Sequence, residues 1–326
     1  MSNTHPQGEF ELIRDYFQRQ SLQRADVHMG IGDDGAVVSV PVDKQLVLVM
    51  DTMVAGIHFP LQTSAYDLGW KSLAVNLSDL AAMGAEPAWL TLALTLPHSD
   101  AEWVKTFSLG LFALASAYNI QLIGGDTTRG PLSITVQAHG LVEKGGALLR
   151  SGAEVGDLIY VSGFPGEAAL GLILLQSNLQ HHPSYEHLLA RLNRPEPRLG
   201  LGRSLHDIAS ACIDISDGLL ADLQHILDAS GVGAEVLIDG LPLSEDYRAA
   251  VDDKQLYRAA LSGGDDYELL FTVPKTKQAE IDKIAEDSKC LLTCIGEITE
   301  GNTIRCLDAQ GNEYTPEHLG FEHFAE

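Results

Sequence analysis

Basic side chains are scarce in this 326-residue sequence, where 21 Lys and Arg stand against 45 Asp and Glu for a formal net charge of −24. Such a balance repels a nucleic-acid backbone or an anionic membrane surface, and it favours metal ions or cationic ligands as partners. Cysteine is sparse as well. Cys212, Cys290, Cys294 and Cys306 form no CxxC pair, which argues against a disulfide framework. In the strand-like run CLLTCIGEI, Cys290 and Cys294 read as small apolar sheet residues in preference to zinc ligands. No stretch of 18 or more residues is apolar, and MSNTHPQGEFELIRDYF lacks a basic region followed by an apolar one. No membrane span or secretory leader is therefore expected, and a reduced cytoplasm is the expected compartment. The motifs GxxxxGKS/T, HRD with DFG, GxSxG and HExxH are also missing, so P-loop, protein-kinase, α/β-hydrolase and zincin chemistry are set aside.

What is present is an ordinary packed composition, 45% hydrophobic and 20% charged with 31 Gly, far from disordered or coiled-coil chains. At roughly 100–200 residues per domain, the length suits two domains. A short helix GEFELIRDYF leads to the loop GIGDDGAVV and to a strand QLVLVMDT expected to end on Asp51. A helix is expected from about Ala65 to Met83, stopped by Gly84 and Pro87, then the strand AWLTLALTL and a helix around Ala101 to Tyr118. The strand NIQLIGG with a loop GGDTTRGP and the alternating strand LSITVQAHGLV follow. Glycines in GGALLRSGAEVGD mark the domain boundary, giving domains 1–148 and 149–326. Beyond it come the strand DLIYVSG, the helix GEAALGLILLQ, the strand ACIDIS, the helix DGLLADLQHILDAS and the strands LLFTV and LLTCIGEI, while His181 to Pro197 reads as a surface excursion. The alternation indicates α/β or α+β layers.

Gly30-Ile31-Gly32-Asp33-Asp34-Gly35 fits the dinucleotide pattern GxGxxG, with Asp51 downstream. That fingerprint needs a buried strand before it and a helix after it, whereas QRADVHM precedes and strand-like AVVSV follows. A nicotinamide dehydrogenase is disfavoured for that reason. Taken alone, the run is equally a tight turn with solvated aspartates.

Ser72, Asn76 and Asp79 share one narrow stripe of the expected helix, bordered by Leu73, Leu77, Leu80 and Ala81. Short oxygen-bearing side chains among apolar ones either bond internally or offer a carboxylate to a metal. Other aspartates are expected at element ends: Asp51, Asp126 in GGDTTRGP, Asp214 and Asp217 in IDISDGLL, and Asp265 and Asp266 in SGGDDYELLF. Ser216 or Asp217 would suit a helix N-cap. Aspartates beside glycine or at strand ends suit hard divalent cations, and phosphate oxygens would complete a magnesium shell. His58 is compatible with a substrate contact or a structural role.

These segments together resemble a family. GIGDDGAVV, MDTMVAGIHF, KSLAVNLSDLAAMGAEPAWLTLALTLP, QLIGGDTTRGP, LLRSGAEVGDLIYVSG, IDISDGL, SGGDDYEL and the terminal GFEHF are similar, in order and almost end to end, to the thiamine-monophosphate kinases of the aminoimidazole-ribonucleotide-synthetase-like superfamily. The resemblance implies an α/β (α+β) fold of two domains, an N-terminal one for metal and ATP binding and dimerisation and a C-terminal α/β one. It implies a homodimer that transfers the γ-phosphoryl of ATP to thiamine monophosphate with several Mg²⁺ ions, the last step of thiamine diphosphate biosynthesis. Position by position, it places Asp34, Asp51, Asp79, Asp126, Asp214 and Asp217 as metal ligands and Gly125, Asp126, Arg150 and Ser216 at ATP. His58, Asp265 and Phe321 fall at thiamine-phosphate positions, and Asp51, Asp126 and Arg150 are the residues implied in the transfer itself.

Two departures from the family pattern stand out. Val49-Met50 replaces a frequent Ser-Thr before Asp51, and Asp265 stands where many relatives carry Glu. Sister enzymes of the superfamily fit less well, because a selenophosphate synthetase needs a reactive Cys near the N-terminus and no cysteine precedes Cys212. A hydrogenase-maturation dehydratase carries its acceptor Cys at the C-terminus, and this sequence ends Phe-Ala-Glu. The purine enzyme of the superfamily and a noncatalytic, acidic metal-binding or interaction protein are the remaining alternatives.

Overall fold

The computed structural model describes residues 8–252 and 255–322. The chain forms two compact units, one running to Leu80 and resuming over Ala85–Gly145, the other comprising Ala81–Gly84 and the chain from Gly146 onward. No helix among the described residues is long and apolar enough to cross a membrane.

The first unit begins with α1 (Glu9–Leu12), continued by a π-helical turn over Ile13–Gln18. The short strands β1 (Val27–Met29) and β2 (Val37–Val38) flank the glycine and aspartate loop. Then come β3 (Lys44–Val54), α2 (Ala65–Ala82), β4 (Glu86–Leu96), α3 (Ala101–Ala117), β5 (Gln121–Arg129) and β6 (Ser133–Glu143). The long strands form a sheet of order β3-β6-β4-β5, antiparallel except for the β4–β5 pair.

Alternation decides what this sheet does with each side chain. Ile134, Val136, Ala138 and Val142 of β6 are buried, as are Leu73, Leu77 and Leu80 of α2 and Phe107 and Leu111 of α3. The intervening face carries Leu46, Leu48 (55% exposed) and Met50 (63% exposed) on β3. These lie opposite Leu141, His139 and Gln137 of β6.

Two expected boundaries shift. β3 does not end on Asp51 but continues to Val54, because β6 offers partners as far as Val54↔Ser133. β5 runs through GGDTTR, so Asp126 sits within a strand, opposite Ala93 of β4, and not in a loop.

The second unit contains β7 (Leu158–Ser162), α4 (Glu167–Gln176), α5 (Tyr185–Asn193), α6 (Leu199–Ser204), β8 (Ala211–Asp214), α7 (Leu219–Ser230) and β9 (Gly233–Leu237). These are followed by α8 (Glu245–Ala250), α9 (Arg258–Ser262), β10 (Leu269–Val273), α10 (Gln278–Ser288), β11 (Leu292–Thr299), β12 (Ile304–Leu307) and β13 (Glu313–Tyr314). Its sheet has the order β13-β12-β9-β11-β7-β10-β8, with β12–β9 the parallel pair. β7, β8 and β10 are almost wholly buried, and Leu219, Leu220, Leu223, Ile226 and Leu227 of α7 join their core. The histidine and proline stretch expected as a surface excursion holds α5 instead, anchored by buried Tyr185, Leu188 and Leu192.

Candidate active site

In the first unit, β1 is three residues long and β2, not a helix, follows the loop Gly30–Ala36. The loop therefore lacks the helix terminus that a dinucleotide pyrophosphate needs. It borders a cavity of about 590 Å³ whose lining includes the apolar Phe10, Ile13 and Phe17 together with Asp33, Asp34, Gly125 and Asp126. Gln18 closes the loop by donating its side-chain amide to the Ile31 carbonyl at 3.0 Å. Gly125 has φ +149°, and a Cβ there would lie 1.9 Å from the Leu92 carbonyl oxygen. Only glycine lets β5 pass so close to β4 beside the cavity.

Asp51 follows Val47 and Val49 on the face of β3 that meets the helices, opposite buried Val136. The side chain of Asp79 on α2 is its neighbour. Burial pushes the Asp51 carboxyl above its usual range, while the adjacent Asp79 side chain and then His58 act in the opposite sense. Two carboxylates so close need a shared proton or a cation between them. A donor set of hard carboxylate oxygens fits Mg²⁺.

The rest of the stripe on α2 bonds internally. The Ser72 hydroxyl donates to Gly69 O at 3.2 Å and the Asn76 amide to Ser72 O at 3.1 Å, while Asn76 Oδ1 has no partner. His58 Nδ1 accepts the Val54 N–H at 3.0 Å, which places the ring at the turn ending β3. Met50, one residue before Asp51, projects from the opposite face, so a hydroxyl there would point away from Asp79.

In the second unit, the turn Ile215–Gly218 between β8 and α7 gathers several of the expected residues. Asp265 N–H donates to Ser216 O at 2.9 Å, and Tyr267 N–H donates to Ile215 O at 2.8 Å. Phe321 N–H donates to Asp217 O at 2.9 Å. The expected side-chain N-cap by Ser216 or Asp217 is not formed. Gly218 is the N-cap residue, and Asp222 in the first turn of α7 reaches back to accept the N–H groups of Ser216, Asp217 and Gly218 at 3.0–3.1 Å.

Asp222 is 2% exposed. Burial, and next the charge of Asp214, push its carboxyl up to about 7 despite those amide bonds. Ligand atoms of Asp217, Asp222 and His225 all lie within 4.8 Å of one another. Neither Asp222 nor His225 stood out in the sequence, where DGLLADLQH reads as an amphipathic helix with polar residues turned to water. The usable signal for Asp222 is an acid in the first turn of a helix that begins at glycine. Arg150 is exposed, and its backbone carbonyl accepts the Ser230 hydroxyl at 3.4 Å.

Residues 32–142 match the AIR synthase related protein N-terminal domain, and residues 154–308 match the AIR synthase related protein C-terminal domain. A thiamine-monophosphate kinase of Salmonella typhimurium is 51% identical over 324 residues, which cover 98% of each chain. The crystal structure of a thiamine-monophosphate kinase from Stenotrophomonas maltophilia K279a is similar at a TM-score of 0.87 and 46% identity, over 93% of this chain and 97% of that one. AaThiL complexed with AMPPCP and TMP is similar at a TM-score of 0.78 and 32% identity, over 99% and 100% of the two chains.

Proposed function

This chain belongs to the thiamine-monophosphate kinases of the AIR synthase related family, and from that membership we infer how its residues divide the work of the reaction. It is a phosphotransferase: ATP and thiamine monophosphate become ADP and thiamine diphosphate. The observation that carries this is similarity over essentially the whole chain, joined to a like fold that holds AMPPCP and TMP together.

Phosphoryl transfer asks mainly for positioning and charge neutralisation. The attacking oxygen belongs to a phosphate monoester with a second pKa of about 6, so it is largely ionised at neutral pH and needs no strong base. No protein nucleophile is required, and the transfer is direct and in line. A labelled phosphoprotein able to pass its phosphate to thiamine monophosphate would overturn that route.

Asp34, Asp51, Asp79, Asp126, Asp214 and Asp217 hold Mg²⁺, and the donor chemistry of the Asp51–Asp79 pair supports this assignment. Bound Mg²⁺ screens the repulsion between the two phosphate-bearing substrates. Gly125, Asp126, Arg150 and Ser216 face ATP, with the Arg150 guanidinium stabilising charge on the migrating group. His58, Asp265 and Phe321 face thiamine monophosphate. The domain of residues 1–148 carries metal and nucleotide contacts together with dimerisation, and the domain of 149–326 supplies the remaining contacts. The apolar outward row Leu46, Leu48 and Met50 supports a homodimer built on that sheet face. Incubation with ATP, Mg²⁺ and thiamine monophosphate, followed by mass spectrometry, tests the reaction, and absence of thiamine diphosphate would sink it.

A further inference from the structure

From Asp265 to Glu268, half-buried and buried residues alternate. Asp266 and Glu268 are buried and bonded into the second unit. Asp266 accepts the N–H groups of Gly166 at 2.6 Å and Ala168 at 3.2 Å, at the start of α4. Glu268 accepts the Ser162 hydroxyl at 2.5 Å, Arg191 Nη2 at 2.5 Å and Arg198 through two nitrogens at 2.6 and 2.7 Å. The alternate residues Asp265 and Tyr267 are half-buried. There the Tyr267 hydroxyl donates to Asp265 Oδ1 at 3.0 Å.

Both residues hold the left-handed backbone, with φ +72° at Asp265 and +53° at Tyr267. An aromatic residue rarely adopts that conformation, and it persists only where the surroundings over-determine it. Here the neighbours do so, through the two buried carboxylates and through the backbone bonds of Asp265 and Tyr267 to the Ile215–Ser216 turn. The strained arrangement brings a phenol against a short carboxylate beside that turn.

We propose that Tyr267 is a positioning residue for the acceptor substrate: its hydroxyl fixes the Asp265 carboxylate so that its charge meets the cationic ring of thiamine monophosphate. The proposal rests on the kinase reading and on Asp265 facing that substrate. Aspartate has one methylene fewer than the glutamate common at this position. It therefore cannot search for its partner by side-chain rotation over the same range, and a fixed carboxylate loses less freedom when the substrate binds.

The test is made on the full-length enzyme with Tyr267→Phe, Asp265→Ala, Asp265→Asn and the Tyr267→Phe/Asp265→Ala double variant. Steady-state kinetics in both substrates is paired with calorimetric binding of thiamine monophosphate. In Tyr267→Phe, KM and Kd for thiamine monophosphate rise about tenfold, as for one lost charge-assisted bond, while kcat and the KM for ATP move far less. The double variant binds no more weakly than Asp265→Ala alone. Asp265→Asn, which keeps an acceptor oxygen but loses the charge, also binds weakly. Wild-type affinity in Tyr267→Phe or in Asp265→Asn would overturn the proposal, as would additive losses in the double variant. A wild-type protein that binds thiamine monophosphate but forms no thiamine diphosphate would overturn the kinase reading instead, and calorimetry would still decide the role of Tyr267.

Discussion

The carboxyl groups of Asp51 and Asp79 are neighbours, one on the sheet and one on α2. Strand alternation turns Asp51 toward the helices, and the stripe of α2 that carries Asp79 lies among residues that are otherwise buried. Burial raises the free energy of the charged form, so the pair is poised for a cation that neutralises it.

Asp51→Asn is expected to lower kcat/KM by about a hundredfold to a thousandfold, the range for losing one preorganised electrostatic group. The fold should be retained, because a half-buried carboxylate beside another one is not a source of stability in the absence of a cation. Kinetics at saturating Mg²⁺ and thermal unfolding check both parts. Mg²⁺ should raise the melting temperature of the wild type more than that of the variant. Unchanged turnover would remove Asp51 from the site.

Gly125→Ala must move the backbone of β4 or β5, since the new Cβ would meet the Leu92 carbonyl at 1.9 Å. We expect a stability loss of more than about 1 kcal/mol and a raised KM for ATP, seen in denaturant unfolding and substrate titration. Gly124→Ala is the stability control, because its added Cβ finds nothing nearer than Thr91 Cγ2 at 4.0 Å.

The regular elements were legible because their signals are local: the helix of Asp79 stops near Gly84 and Pro87, and the alternation in LSITVQAHGLV gives β6. What the sequence misplaced depends on partners far along the chain. Asp51 and Asp126 fall within strands because β6 and β4 continue the ladders past them, and no residue beside them announces that. Asp222 was hidden for a different reason. An acid on an amphipathic helix normally faces water, but this one is turned inward to serve three amides. The cluster of Glu268 with Arg191 and Arg198 joins three separate segments, and only the folded chain brings them together.

Leu48→Glu tests the homodimer. A charge in the centre of the apolar row of β3 would be desolvated by a partner subunit at a cost of several kcal/mol, whereas on a free surface it is harmless. Light scattering after gel filtration should report two chains per particle for the wild type and one for the variant, with unchanged circular dichroism. A wild type that runs as a single chain would refute the assembly.

Glu268→Gln tests the buried ion-pair cluster. Burial alone would push the Glu268 carboxyl up, but the Arg198 and Arg191 guanidinium groups and the Ser162 hydroxyl outweigh it and hold the group below its ordinary value. Removing the Glu268 charge leaves Arg191 with Glu167 at 3.2 Å and Arg198 with only the exposed Glu196 at 3.2 Å, so the variant should lose up to about 3–5 kcal/mol. The pH dependence has a fixed sign. A carboxyl whose folded value is depressed contributes stability above its unfolded value near 4.5, and that contribution is lost as pH falls through the lower, folded value. The difference in unfolding free energy between wild type and Glu268→Gln should therefore be constant from neutral pH to about pH 5 and shrink below it. A gap that widens on acidification would show that Glu268 is not held as a paired carboxylate.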